Sequence, residues 1–218
     1  GLKELTNVDI QNSVISYNTI LKADGGSSGA GIYGMTSPMS LTNVLIEHNK
    51  TIDGYGGGIF LSLPTDNMIL ENVTIRYNYA LRGGGICQNT TSDFIELSSS
   101  NKCNVYSNYA LVGTDFYWEN PANGTTSIVV DTFTVANSTS FYAYTENGGN
   151  ITIQSSNNVV NAQVGDVYVD PSGSNNNSGN SVSSPFKNIY YAFLSIYANS
   201  GLPGTIHLTD GTYSPSTN

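Results

Sequence analysis

The chain has 218 residues, 39% of them hydrophobic, enough for one domain or one solenoid segment with a buried core. Seven Lys and Arg against sixteen Asp and Glu leave a formal net charge of −9, so the chain offers no basic surface to hold a phosphate backbone or anionic lipid, and nucleic acid is set aside as a partner. Charged residues make up only 11%, while Asn (27), Ser (27) and Thr (21) dominate, a secreted, sugar-facing composition.

No apolar run approaches the roughly 20 residues of a membrane-spanning helix, so no membrane insertion is expected in this segment. The chain opens at Gly1 rather than Met, which leads us to expect a mature or excised piece of something longer.

In chain order, the first feature is a nonamer that recurs: IQNSVISYN (10–18), LTNVLIEHN (41–49), LENVTIRYN (70–78) and SNKCNVYSN (100–108). Each copy ends in asparagine, at Asn18, Asn49, Asn78 and Asn108, spaced by 31, 29 and 30 residues. The fourth and sixth positions read Ser13/Val44/Val73/Cys103 and Ile15/Ile46/Ile75/Val105, the period-2 alternation of a strand with one buried face. Glu47, Thr74 and Arg76 then point outward.

Interleaved with the nonamers are GAGIY, GGGIF and GGGIC, which set Ile32, Ile59 and Ile86 at intervals of 27, and a degenerate GTDFY that puts Phe116 in the same place. Such a unit, glycine-rich and without helical periodicity, cannot bury its apolar face alone and must stack on neighbours. Parallel stacking at about 4.8 Å per coil would align the isoleucines as an internal aliphatic ladder and the terminal asparagines as an amide ladder, with asparagine supplying the left-handed corner. Gly31, Gly58 and Gly85 would mark a second corner, where positive φ or close backbone approach excludes a Cβ. In this arrangement His48, with Tyr17 and Tyr77, lies inward beside the amide ladder.

Over about Ile10 to Tyr117 this pattern resembles the polymorphic outer membrane protein repeat, with its paired GGAI and FxxN motifs, found in surface adhesins. The tetrads here are GAGI, GGGI and GGGI, and ISYN, IEHN, IRYN and VYSN replace FxxN. The resemblance implies a right-handed parallel β-helix in an extracellular or cell-surface setting.

Beyond Trp118, TSIVVDTFTV, SFYAYTE and NITIQ remain strand-like, with Asn-Gly-Gly at 147–149 as a turn. From Asp166 the chain resembles the amino-terminal opening segment of pectin-lyase-like β-helices: strand, polar loop, capping helix, first coil. The helix is expected over about 185–199, with Ser184 as N-cap, Pro185 in its first position, Phe186, Ile189, Phe193 and Tyr197 as its apolar face and Gly201 as its stop. Three segments follow: 1–118 as repeat coils, 119–163 as irregular coils, and 164–218 as an opening cap that continues into a next module or copy.

Chemistry-bearing clusters are sparse. Cys87 and Cys103 match no metal-ligand spacing and pair as a disulfide or stay as two buried thiols, with both readings open; no metal or cofactor is implied. Asp24-Gly25 and Asp53-Gly54 read as turns, and the calcium-binding nonapeptide is absent. The acids look scattered, with no carboxylate column beside an Arg or Lys, so no catalytic residue is assigned. Seven Asn-x-Ser/Thr sites occur, about the number that composition gives by chance; Asn72, Asn123 and Asn176 lead as glycosylation candidates, then Asn89, Asn137 and Asn150, with Asn49 excluded as an inward residue. Fifteen tyrosines invite a sugar-stacking reading, but Tyr17, Tyr77 and Tyr117 fit a core or column better.

The expectation is an all-β, right-handed parallel β-helix of about seven or eight coils with one short helix near its C-terminus. Its expected role is structural or adhesive and non-enzymatic, as a subunit or repeat of a head-to-tail filament whose partner is another copy or module. A polysaccharide-active or glycan-binding β-helix, lyase or tailspike-like, stands as the alternative.

Overall fold

In the computed structural model, residues 8–21, 28–35, 38–62, 67–93, 95–121, 124–197 and 204–214 are described. The chain is a parallel β-solenoid of about five turns with one short helix near the C-terminus. The first coil contains β1 (Val8–Ser16), β2 (Thr19–Ile20) and β3 (Ile32–Met35); the second, β4 (Met39–Glu47), β5 (Lys50–Thr51) and β6 (Ile59–Ser62). The third has β7 (Met68–Glu71), β8 (Thr74–Arg76) and β9 (Ile86–Asn89), and the fourth β10 (Ile95–Leu97), β11 (Asn104–Tyr106) and β12 (Phe116–Trp118). β13 (Thr125–Val135) and β14 (Ala143–Thr145) make the fifth, and β15 (Asn150–Val160) closes the larger sheet.

Two parallel sheets run along the solenoid. One carries β1, β4, β7, β8, β10, β11, β13 and β15; the other runs β3-β6-β9-β12-β14. The second sheet stacks Ile32, Ile59, Ile86, Phe116 and Ala143 in one column and Gly34, Leu61, Gln88, Trp118 and Thr145 in another. In the first sheet Val44, Val73 and Cys103, and Ile46, Ile75 and Val105, are buried as the alternation requires. The count of about five turns falls short of seven or eight because residues 119–163 go largely into two 11-residue strands, and the last segment forms a unit of its own.

Backbone packing explains the glycines. A Cβ on Gly58 would lie 2.6 Å from the Gly85 carbonyl oxygen and 3.1 Å from Asn78 Nδ2, so close approach between successive coils demands glycine there. Positive φ falls two residues earlier, at Gly29, Gly56, Gly83 and Gly113.

Contacts divide the chain into Gly1–Thr134 with Ser140–Val159, and Val135–Thr139 with Val160–Asn218. The second unit pairs β16 (Val167–Val169) in parallel with β17 (Ile206–Leu208), and α1 (Ile189–Tyr197) brings Ala192 into a core with Val167, Val169 and Phe186.

The helix starts at Ile189, not Pro185. Phe186 donates its N–H to the Tyr168 carbonyl and accepts from the Asp170 N–H, both at 2.9 Å, and this β-bridge to Val169 excludes it from a helix. The cap is Asn188, whose Oδ1 accepts the Tyr191 N–H at 3.0 Å, rather than Ser184. Residue 199 and the expected Gly201 stop lie outside the described residues.

Candidate functional site: two amide ladders and an aromatic corner

The inner amide ladder is directional. Asn18 donates through its backbone N–H (3.1 Å) and Nδ2 (2.8 Å) to Asn49 Oδ1; Asn49 donates likewise to Asn78 Oδ1, at 3.0 Å for both. Asn78 donates to Asn108 Oδ1 at 3.1 and 3.0 Å. The second Nδ2 hydrogens of Asn49, Asn78 and Asn108 go to the carbonyls of Ile15, Ile46 and Ile75. Asn49, Asn78 and Asn108 are fully buried, so these amides satisfy the polar groups that a coil corner strands inside the core.

Asp115 ends this ladder. Its Oδ1 accepts from Asn108 N (3.2 Å) and Nδ2 (3.0 Å), while Oδ2 is buried without a hydrogen-bond partner. Burial pushes the carboxyl up to about 7, with hydrogen bonds from Thr134 and Asn108 pulling the other way.

A second ladder lies outside. Asn72 Nδ2 donates to Asn43 Oδ1 at 2.8 Å, and Asn43 Nδ2 to Asn12 Oδ1 at 3.0 Å, so donation runs opposite to that of the inner ladder. All three are exposed and left-handed, with φ of 48°, 56° and 49° for Asn12, Asn43 and Asn72. Sequence reasoning missed this ladder, although asparagine stands third in three of the four nonamers.

The left-handed corner beside the inner ladder belongs to Tyr17 (57°), His48 (54°), Tyr77 (54°) and Ser107 (54°), one residue before each asparagine. That conformation turns these side chains outward, which corrects the inward placement of Tyr17, His48 and Tyr77: Tyr17 is 74% exposed, Tyr77 45%, and His48 is also exposed. The rings stack along the solenoid, Tyr17 on His48 with centroids 4.9 Å apart and His48 on Tyr77 at 5.3 Å. Arg76 covers Tyr77 and is paired with Glu47 at 2.9 Å. Two residues further on, Lys50, Tyr79 and Tyr109 form a parallel cation–aromatic column.

The acids are less scattered than their sequence positions suggest. Phe116↔Ala143 and Trp118↔Thr145 pair across β12 and β14, so Glu119 and Glu146 follow on successive coils, with Arg82 alongside. Arg82 Nη1 reaches Tyr117 Oη at 2.8 Å and Glu146 Oε1 at 3.1 Å, and lies over the rings of Tyr55 and Tyr117. Tyr117 also donates to Glu146. Burial and then Glu146 raise the Glu119 carboxyl, with Arg82 opposing. Tyr117 is fully buried in this column, whereas its partners remain partly exposed.

Of the two readings open for the cysteines, the structure has separate thiols on different faces. Cys87 stacks between Phe60 and Tyr117 in the five-stranded sheet, and Cys103 donates to the Leu70 carbonyl inside the other. Burial raises both thiols, Cys103 to about 11, which makes them poor nucleophiles.

Among the glycosylation candidates, Asn72, Asn137, Asn150 and Asn176 are exposed and Asn89 is half-buried, whereas Asn49 is fully buried. Asn123 and the Asp24-Gly25 turn lie outside the described residues. Among those described, no three His, Cys, Asp or Glu side chains converge on a metal-sized site, and no helix is long and apolar enough to cross a membrane. No family model matches the chain, and neither a curated protein nor a solved structure does so.

Proposed function

We propose that this chain is a structural or adhesive component of an extracellular surface, a β-solenoid that associates end to end with further copies or modules. The carrying observation is the first coil: β1 pairs only with β4, β2 only with β5 and β3 only with β6 among the described strands. Val14, Tyr17, Leu21 and Tyr33 are exposed on that same coil. Three parallel edges on the first described coil, with apolar side chains beside them, offer a template that another coil, of this chain or of a further copy, can extend. Amide-rich composition and the repeat resemblance support the surface setting. Exposed Asn72, Asn137, Asn150 and Asn176 support N-glycosylation where the host performs it.

A polysaccharide-active or glycan-binding role has less behind it. Sugar stacking needs an open ring face, and in the corner column His48 is covered by Tyr17 and Tyr77 and Tyr77 by His48 and Arg76, which leaves the outer face of Tyr17 open. A glycoside-cleaving pair needs both carboxyls open to substrate, and Glu146 is held by Arg82 and Tyr117.

Negative-stain electron microscopy of the purified protein, paired with its mass under denaturing conditions, tests the structural reading. Fibres of non-covalent 23.2 kDa subunits are expected. Isolated short rods at every accessible concentration, together with release of sugars from a polysaccharide panel, would replace it with the enzyme reading.

A further inference from the structure

The coils of the solenoid are not joined equally. In the larger sheet β4 pairs with β7 and β8, and these pair in turn with β10 and β11, so both arms of the second, third and fourth coils are stitched together. The joint to the fifth coil differs: β13 pairs with β11 at Asn104↔Thr132 and Val105↔Phe133, and among the described residues no backbone hydrogen bond links β10 to β13. A cavity of about 80 Å³ lies there instead, lined by Ile95, Leu97, Phe116 and Ile128 and by the hydrogen-bonded pair Asp93 and Thr126. The five-stranded sheet carries through this level, with Phe116, Tyr117 and Trp118 paired to Ala143, Tyr144 and Thr145.

Asp115 sits at this joint. It stands in the column of Gly58 and Gly85, and its carboxyl receives Asn108 as a further ladder asparagine would. From the fifth coil Thr134 and Tyr142 face it, both fully buried. Tyr142 is its titratable neighbour, with a hydroxyl raised by burial and then by Asp115, and no charged side chain acts on the carboxyl. Asp115 is 0% exposed, and its Oδ2 and the adjacent Thr114 Oγ1 are buried without hydrogen-bond partners. An ionised carboxyl lacking a donor for one oxygen is relieved by water, and the least-paired junction is the one that separates most easily to admit it.

We propose that the joint between the fourth and fifth coils is a pH-sensitive hinge: when Asp115 ionises, the fifth coil opens from the fourth on the β10 side and hydrates the carboxylate, while the five-stranded sheet holds the two together. In the closed joint the carboxyl is raised from 3.8 to about 7, and in the opened joint it returns to water. Closure is therefore favoured in acid, and opening grows about tenfold per pH unit between about 4 and about 7 before it levels off.

The test is amide hydrogen exchange of the full chain, read by NMR at about pH 5 and about pH 8 with the intrinsic rates divided out. Two N–H groups span the joint: Asp131 donates to the Cys103 carbonyl at 2.8 Å, and Ser107 to Thr134 Oγ1 at 2.7 Å. Their protection is expected to fall at least about tenfold between the two conditions, while that of Asn49 N–H, which joins the second and third coils, changes less than about threefold. Asp115→Asn keeps an acceptor for Asn108 and cannot ionise, so protection at the joint becomes independent of pH. The thiols give a second reading on the unaltered chain. Cys103, inside the fourth coil, is uncovered when the fifth swings away, whereas Cys87 stays between Phe60 and Tyr117, so at the higher pH a maleimide reaches Cys103 first.

Protection lost equally in every coil, with both thiols reacting together, would overturn the hinge and put unfolding of the whole solenoid in its place. Protection at Asp131 and Ser107 that ignores pH, or that falls with pH in Asp115→Asn as in the unaltered chain, would overturn it too, because the carboxyl would then not gate the joint.

Discussion

Asn78 and Asn43 are both asparagines in amide ladders one coil apart, yet they do different work. Asn78 is buried, holds ordinary backbone geometry, and serves Asn49, Asn108 and the Ile46 carbonyl at once. Asn43 is exposed, sits at φ 56°, and exchanges single hydrogen bonds that water can replace. The same side chain is a core element in one column and a conformational device in the other. Burial decides which, because an orphaned amide costs much inside and little outside.

The sharpest way to break the inner ladder is from the glycine side. In Gly58→Val the new Cβ meets the Gly85 carbonyl and Asn78 Nδ2, and neither coil can withdraw without losing its backbone pairing. A loss of at least about 5 kcal/mol is expected, seen as an unfolded or multistate circular dichroism melt. A melt within a few degrees of wild type would show that the coils are not registered as described.

Next comes the carboxyl that ends the ladder. Asp115 is raised from 3.8 to about 7 in the folded chain, so folding favours its protonated form. Stability from this group is full below about pH 4 and is lost as pH rises through about 7, a difference on the order of 4 kcal/mol between the two limits. Asp115→Asn should remove that slope: urea midpoints of variant and wild type, compared from pH 4 to 8, diverge in favour of the variant as pH rises. Parallel profiles would mean that Asp115 is hydrated and ionised.

Asn78→Ala tests the middle of the column. It strands the Asn49 N–H and Nδ2 and deprives the Ile46 carbonyl of a donor, all buried, for an expected cost of about 3 kcal/mol in a denaturant titration.

Much of the fold could be read from spacing, because stacked coils repeat their chemistry at a near-constant interval. Evenly placed isoleucines at 32, 59 and 86 can share a column only if the coils are parallel. Direction and sidedness were harder. That Tyr17, His48 and Tyr77 face outward follows from a left-handed residue that breaks the alternation, and the pattern of apolar residues contains no mark of φ. Glu119 and Glu146 look unrelated along the chain because the repeat has faded there; only pairing of Trp118 with Thr145 makes them neighbours. Ser184-Pro185 is a strong start signal for a helix, yet α1 begins only at Ile189. Tertiary pairing of Phe186 with Val169 overrode it.

The smallest expected effect is the one that isolates geometry from hydrogen bonding. Asn43→Gly removes both outer-ladder bonds but relaxes freely at φ 56°, so it should lie within about 0.5 kcal/mol of wild type. Asn43→Ala loses the same bonds and must also hold a Cβ in the left-handed region, so it should be about 1 kcal/mol less stable than the glycine variant. Urea midpoints of the two proteins measure that difference directly. If glycine is as damaging as alanine, the outer amides carry real stability, and the distinction drawn between the two ladders rests on something other than burial. If glycine is neutral and alanine is not, asparagine stands third in the nonamer for the bend it permits.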